Sequence, residues 1–170
     1  MIRGYIAQSV DGYVADGEGG VGFLDPFQDV DYGFAAFMDE IGTVVMGRTT
    51  YEQVVSFGMG WPYEGKRGIV VTSSPLSAVI GDAEAWTSGV PALADRLTNV
   101  DGDVWIVGGP RLQATFIEGG WLERLEVFVM PVLLGSGVPL FPSDSKAQAL
   151  RLHGTRTFDK GIVRLDYRCT

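Results

Sequence analysis

Two glycine turns, each between a short apolar run and a helical pattern, constrain the fold of this chain more than any other feature. The first, Gly-Arg-Thr-Thr at 47–50, follows the apolar run 43–46, and the second, Gly-Gly-Pro-Arg at 108–111, follows the run 103–107. A buried strand that passes through glycine directly into a helix is typical of a parallel sheet. Because the carboxyl ends of parallel strands share one edge, we expect both turns to lie there and to offer backbone N–H groups to phosphate.

The apolar periodicity along the rest of the chain predicts one α/β domain spanning residues 1–170. Short apolar runs alternate with helical patterns, which indicates a central, mostly parallel sheet with helices on both faces. Over residues 163–169 apolar and charged residues alternate strictly, and this period of two predicts a half-exposed antiparallel strand near a C-terminal edge. The predicted strands are 2–10, 43–46, 68–72, 103–107 and 122–134, and the predicted helices are 31–41, 47–55, 90–97 and 110–118.

The net charge and the scarcity of histidine and cysteine exclude several kinds of function. With a formal charge of −8 and 13 scattered Lys and Arg residues, the chain is not expected to bind nucleic acid. A single histidine, His153, and a single cysteine, Cys169, cannot form the common zinc sites or an internal disulfide, so neither is predicted. No apolar run reaches the length of a membrane span, and the N-terminus lacks signal-peptide organisation, so a cytoplasmic protein is expected.

Three segments carry the chemistry of a phosphate site. Residues 47–50 place backbone N–H groups, a guanidinium and two hydroxyls at the positive end of a helix dipole, and residues 108–111 repeat that apparatus. The hydroxyls of 72–74 follow a strand end and could hold an adenosine phosphate. The alternatives are a helix start capped by threonine beside a solvated arginine, and an ordinary Ser-Ser-Pro turn.

Asp31, sixteen residues before Gly47, is the candidate for recognising a substrate. In an apolar pocket of Phe34, Phe57 and Trp61 its carboxylate could accept two hydrogen bonds from the amidine-like edge of a pterin or pyrimidine. The alternative is a helix N-cap, a role that is also open to Asp29, and Phe34 is itself a candidate for the core. The preceding loop, which contains four glycines and one proline between residues 16 and 29, is a candidate lid.

These motifs together resemble the dihydrofolate reductase superfamily, and within it the stand-alone bacterial proteins similar to the reductase domain of the riboflavin-biosynthesis deaminase/reductase. The resemblance covers nearly the whole chain and implies a three-layer dihydrofolate-reductase-like fold. It also implies NADPH as the cofactor, hydride transfer to a small heterocyclic substrate, and a homodimer joined through C-terminal strands. It is carried by residues 6–15, by the spacing from Asp31 to Glu52, and by residues 70–74, 105–111 and 130–141.

The resemblance also implies a role for individual residues. The backbone of Ala7 and Val14 would meet the nicotinamide carboxamide, and Asp31 would be the catalytic residue that orients the substrate. The cofactor site implied in this way consists of Ala7, Val14, Gly47, Arg48, Thr49, Thr50, Thr72, Ser73, Ser74, Val107, Gly108, Gly109, Pro110, Arg111 and Leu112. The predicted substrate pocket consists of Gln8, Ser9, Asp31, Phe34, Tyr51, Phe57 and Trp61.

Two departures from the family pattern bear on the substrate. The threonine that supports the carboxylate in dihydrofolate reductases is replaced around Phe128, and the arginine that clamps the folate glutamate has no clean match near Lys66 and Arg67. Folate is therefore not the expected substrate, which leaves a pteridine, a 5-amino-6-(5-phosphoribosylamino)uracil-like pyrimidine or another small acceptor. Two alternatives to a reductase stay open: a non-catalytic NADPH- or nucleotide-binding protein, and a scaffold with vestigial turns.

Overall fold

An eight-stranded sheet runs through the centre of the molecule in the computed structural model, which describes residues 1–169. The ten strands of the fold are β1 (Ile2–Ser9), β2 (Tyr13–Ala15), β3 (Ile41–Gly47), β4 (Arg67–Val71), β5 (Ala83–Trp86), β6 (Asp103–Gly108), β7 (Arg124–Met130), β8 (Val138–Pro139), β9 (Arg151–Thr157) and β10 (Val163–Arg168). The large sheet has the order β5-β4-β3-β6-β1-β7-β10-β9, and β2 pairs with β8 separately. The six strands from β5 to β7 are parallel, whereas β10 pairs in antiparallel fashion with β7 on one side and with the edge strand β9 on the other. The predicted mostly parallel sheet with an antiparallel C-terminal edge is confirmed.

Helices cover both faces of this sheet, which confirms the predicted three layers. They are α1 (Phe34–Glu40), α2 (Arg48–Ser56), α3 (Val90–Leu97) and α4 (Pro110–Glu118). Val44 and Met46 of β3 pack with residues of α1 and α2, whereas Val45 between them packs with residues of α3 and α4. Because both faces of β3 are buried, every residue from Thr43 to Met46 is buried.

Helix α1 begins three residues later than predicted. Its N-cap is Gly33, with a φ of 79° in the left-handed region that favours glycine, and no side chain caps it. Asp31 Oδ1 instead accepts a hydrogen bond from the Gly33 N–H at 2.8 Å, and Asp29 pairs with Lys160 Nζ at 2.5 Å. The prediction that Asp29 or Asp31 caps this helix is therefore wrong. Ile41 begins β3 rather than ending α1, so the helix passes into the strand without a spacer.

Candidate functional site

The two glycine turns lie side by side. Strands β3 and β6 are neighbours in the sheet, with Met46 opposite Gly108, so the chain leaves both strands at the same edge. A Cβ built on Gly47 would lie 3.8 Å from the Gly109 nitrogen, and one built on Gly108 would lie 3.4 Å from Thr50 Oγ1. Side chains at these glycines would therefore narrow the space between the turns.

Helices α2 and α4 begin at this edge and present their N-termini to the same space. Their N-caps are Gly47 and Gly109, neither helix has a side-chain cap, and Pro110 occupies the first turn of α4. The first N–H groups of both helices therefore lack a side-chain acceptor, and both dipoles have their positive end here. The alternative of a threonine-capped α2 is wrong, because its N-cap is a glycine. Such an arrangement can bind a diphosphate.

A cleft with a volume of about 630 Å³ opens beside the two turns. The glycine turns form one wall of the cleft, and β1 forms its floor. Strands β2 and β8 and the loop of residues 16–29 form its rim. Its lining residues are Tyr5, Ile6, Ala7, Val14, Ala15, Gly19, Val21, Leu24, Gly47, Arg48, Thr49, Thr50, Gln53, Val107, Gly108, Gly109, Pro110, Arg111, Leu112 and Val138. The cleft thus brings together every residue expected to bind the cofactor except those at 72–74.

Arg48 connects the cleft to the segment that follows β4. Its Nη1 donates hydrogen bonds to Ser74 Oγ at 2.7 Å, to Thr72 Oγ1 at 3.3 Å and to the Pro75 carbonyl at 3.1 Å. Its Nε donates to Glu52 Oε1 at 2.7 Å, which is an ion pair one turn along α2. These contacts place the hydroxyls of Thr72 and Ser74 beside the guanidinium at the end of the cleft.

Arg111 lies at the start of α4, where its guanidinium pairs with Asp144 at 3.1 Å. Its side chain is 75% exposed, so this ion pair is largely screened by solvent. A nearby anion can compete for this arginine.

Asp31 does not lie in the apolar pocket that the sequence predicted. Its side chain is exposed and turns back to the Gly33 N–H. Phe34 is 42% exposed. Its ring centroid lies 5.9 Å from that of Tyr5 and 5.8 Å from that of Trp105.

Three other residues of the predicted substrate pocket lie on α2 and in the segment before β4. Trp61 packs on Tyr63 and against Gly68 at the amino end of β4, which is the edge of the sheet opposite the glycine turns. Tyr51 faces the sheet from α2 and is 2% exposed, with its hydroxyl donating to the Ala78 carbonyl at 2.9 Å. Phe57 ends α2 with its side chain 52% exposed. In the structure Asp31 is thus not enclosed by Phe34, Phe57 and Trp61, because its carboxylate is exposed and Trp61 packs at the amino end of β4.

Ser9 and Gln8 point to opposite faces of β1. The fully buried Ser9 hydroxyl donates to Asp11 Oδ1 at 2.6 Å and accepts from the Tyr13 N–H at 3.0 Å. The Ser9 hydrogen bond, together with N–H donors of Leu134 and Gly135, lowers the pKa of Asp11 below its ordinary value. Ser9 thus fixes the turn after β1, and Gln8 is half-buried on the face away from Ala7.

Tyr5 lines the cleft but did not stand out in the sequence. Its ring centroid lies 4.2 Å from that of Phe37 and 4.5 Å from that of Phe128, and its hydroxyl donates to the Tyr32 carbonyl at 3.3 Å. Burial raises the pKa of Tyr5, and the carboxylate of Glu126 raises it further. The sequence feature that could have identified it is its position two residues before Ala7, because residues two apart lie on the same face of a strand.

Over residues 1–169 none of the helices is long and apolar enough to cross a membrane, and no cluster of three potential ligand side chains could hold a metal ion.

Comparison with known proteins places the chain in a family. The family described as RibD C-terminal domain matches residues 86–164. The uncharacterized protein YwjB of Bacillus subtilis (strain 168) is 36% identical over 160 residues, which cover 93% of this chain and 92% of YwjB. The chain belongs to the RibD C-terminal domain family.

Solved structures show the same fold for this RibD-family chain. A Shewanella sp. PV-4 protein assigned provisionally to riboflavin biosynthesis is 25% identical, with a TM-score of 0.86 over 98% of this chain and 97% of that one. Dihydrofolate reductase from Enterococcus faecalis, solved with NADP(H), is 19% identical, with a TM-score of 0.69 over 99% of this chain and 94% of that one. The chain therefore has a reductase-type fold.

Proposed function

We propose that this protein is an NADPH-dependent reductase that transfers hydride to a C=N or C=O bond of a small heterocyclic substrate. The observation that carries the proposal is the convergence of two glycine turns and two helix N-termini on one cleft, in a chain of the RibD C-terminal domain family. NADPH would supply the hydride, and the protein would supply binding, orientation and electrostatics.

The residues around the cleft fit this cofactor. Residues 47–50 and 107–112 would hold the diphosphate with backbone N–H groups, because glycines keep the space between the turns open. The backbone of Ala7 and Val14 would meet the carboxamide. Arg48, supported by 72–74, and Arg111 would bind the adenosine 2′-phosphate, which gives a preference for NADPH over NADH.

A pteridine or a 5-amino-6-(5-phosphoribosylamino)uracil-like pyrimidine is the proposed class of substrate. The support is the kinship with the RibD family and the likeness in fold to dihydrofolate reductase. Asp31 has no part in the proposal, because its carboxylate is exposed and engaged with the Gly33 N–H.

A second candidate function is a non-catalytic NADPH-binding protein. It is favoured by one observation: none of the cleft-lining residues in the described range 1–169 is an aspartate or a glutamate. A cleft without a carboxylate can bind the cofactor and still lack an acid or base for reduction.

One experiment separates these functions. NADPH binding is measured by fluorescence titration, and NADPH oxidation is then followed with dihydrofolate, dihydropterin and aminopyrimidine ribosides. Binding with oxidation of at least one substrate supports the reductase, and binding without oxidation supports the second candidate. If neither NADPH nor NADH binds, both functions are refuted and the turns are vestigial.

We further propose that the chain acts as one domain and forms a homodimer through its C-terminal strands. One continuous sheet includes strands from both ends of the chain, from β1 to β10. Strand β9 forms an edge of that sheet, and Leu152 on it is 54% exposed. An edge strand offers unpaired backbone groups to a second copy.

A further inference from the structure

The polar side chains of the cleft are divided between its two ends. Arg48, Thr49, Thr50 and Arg111 occupy the first turns of α2 and α4, at the end proposed for the phosphates. Gln53 is engaged elsewhere, because its Nε2 donates to the Gly19 carbonyl at 2.8 Å. Among the cleft-lining residues within 1–169, the remaining side chain that carries a donor is the phenol of Tyr5.

Tyr5 is fixed beside the position proposed for the nicotinamide. It lies two residues before Ala7 on the same face of β1, about 7 Å along the strand. The Trp105 indole N–H donates to the Tyr5 carbonyl at 3.2 Å, and the Tyr5 ring is stacked on Phe37 with an interplanar angle of 25°. These contacts hold the ring, while the neighbouring Phe34 leaves 42% of its surface open to a ligand.

The hydrogen bond that the Tyr5 hydroxyl donates is a long one. Its bond to the Tyr32 carbonyl is 3.3 Å long, whereas O–H···O bonds are commonly about 2.7 to 2.8 Å. An acceptor atom of a ligand can therefore replace that carbonyl. Burial and the neighbouring Glu126, Tyr32 and Asp31 raise the pKa of the phenol, whereas the charge of Arg164 lowers it. The net effect is a raised pKa, so the hydroxyl stays protonated at neutral pH.

We propose that the Tyr5 hydroxyl, rather than the Asp31 carboxylate, is the protein group that hydrogen-bonds an acceptor atom of a planar heterocyclic substrate, with the substrate ring lying against Phe34. This inference rests on the proposed function, because it needs the nicotinamide beside Ala7. It assigns Tyr5 to substrate binding and leaves cofactor binding to the glycine turns. A neutral donor selects a ring that presents a carbonyl oxygen or an unprotonated ring nitrogen.

Tyr5→Phe tests the inference, with Tyr32→Phe as its matched control. Tyr32 loses the same atom, but its hydroxyl donates to the Phe27 carbonyl at 3.1 Å and does not line the cleft. The probe is pterin, a planar fluorescent heterocycle, titrated into protein saturated with NADP⁺. We expect Tyr5→Phe to raise the pterin Kd about tenfold, which is about 1.4 kcal/mol, while the NADPH Kd changes less than about twofold. Tyr32→Phe leaves both constants unchanged.

Phe34→Ala provides a second variant in case Tyr5→Phe is poorly folded, because the exposed ring of Phe34 is a small part of the core. We expect it to weaken pterin and to leave NADPH binding unchanged. The inference is overturned if wild-type protein binds NADPH but not pterin, or if Tyr5→Phe binds pterin as wild type does. It is also overturned if Asp31→Asn weakens pterin while Tyr5→Phe does not. Wild-type protein that binds no NADPH refutes the proposed function itself, and the inference with it.

Discussion

Replacing Arg48 with alanine should weaken NADPH and spare NADH. The guanidinium lies at the cleft end with Ser74 Oγ at 2.7 Å, and NADH lacks the 2′-phosphate that this group would bind. A hydrogen bond to a charged group is commonly worth about 1.5 to 3 kcal/mol. Because the Arg48 side chain is 31% exposed and already paired with Glu52, the lower value of about 1.5 kcal/mol applies, which is roughly a tenfold rise in the NADPH Kd.

The assay is fluorescence titration of wild-type and variant protein with both nucleotides at one fixed ionic strength. Arg96→Ala is the matched control: Arg96 is 33% exposed and pairs with Glu84 at 2.6 Å, much as Arg48 pairs with Glu52, but it does not line the cleft. It should leave both affinities unchanged. Equal weakening of NADPH and NADH by Arg48→Ala would refute the assignment of the 2′-phosphate to this arginine.

Two further predictions concern stability and assembly. Burial raises the pKa of the Asp166 carboxyl, but the ion pair with Arg124 at 2.7 Å lowers it, and the net shift is downward. The ion pair therefore stabilises the fold at pH values above the unfolded pKa of the carboxyl, and this stabilisation is lost as the pH falls through the folded pKa. Asp166→Asn should therefore lower the free energy of unfolding by about 2 kcal/mol at neutral pH, and the difference from wild type should become smaller in acid. A difference in Tm between variant and wild type that is constant with pH would contradict this. Leu152→Asp, on the β9 edge, should give the mass of a monomer by light scattering where wild-type protein gives that of a dimer. A wild-type monomer would refute the proposed dimer.

The elements that could be predicted from the sequence are those with strong local signals. Helices α3 and α4 have the predicted bounds, Val90–Leu97 and Pro110–Glu118, because a proline in the first turn and an apolar face mark each of them. The strand, glycine and helix sequence around Gly47 was equally clear. The closeness of Gly47 to Gly109 could also be predicted, because the carboxyl ends of parallel strands lie at the same edge of the sheet.

The strands that were missed lack an apolar pattern. Strand β9 has the sequence Arg-Leu-His-Gly-Thr-Arg-Thr, and most of its residues are exposed because it forms the edge of the sheet. Strand β5 is the opposite edge and consists of Ala-Glu-Ala-Trp, which has no β-branched residue. Edge strands bury less surface, so hydrophobic periodicity does not reveal them.

The proposed substrate side of the cleft depends on contacts between distant segments, which no local sequence pattern encodes. Trp61 lies within a glycine- and proline-containing connection, and its ring packs on Gly68 and Gly81, where added side chains would collide with it. Asp31 faces outward because the turn at Gly33 draws its carboxylate to the backbone. Tyr5 could not be identified from the sequence, because its place in the cleft depends on β1 lying beside β6 in the fold.

NADPH binding by Gly47→Ala tests most directly the proposal that both glycine turns form one diphosphate site. Gly47 has a φ of −76°, which alanine adopts, and its added Cβ would lie 3.8 Å from the Gly109 nitrogen, so the fold should persist. That methyl group would nonetheless occupy the space in which the backbone N–H groups of both glycine turns would bind the diphosphate. We predict that NADPH and NADH both bind at least about tenfold more weakly, a loss of about 1.4 kcal/mol, while Gly154→Ala in open space on β9 changes neither. Wild-type affinity for both nucleotides in folded Gly47→Ala would contradict the account.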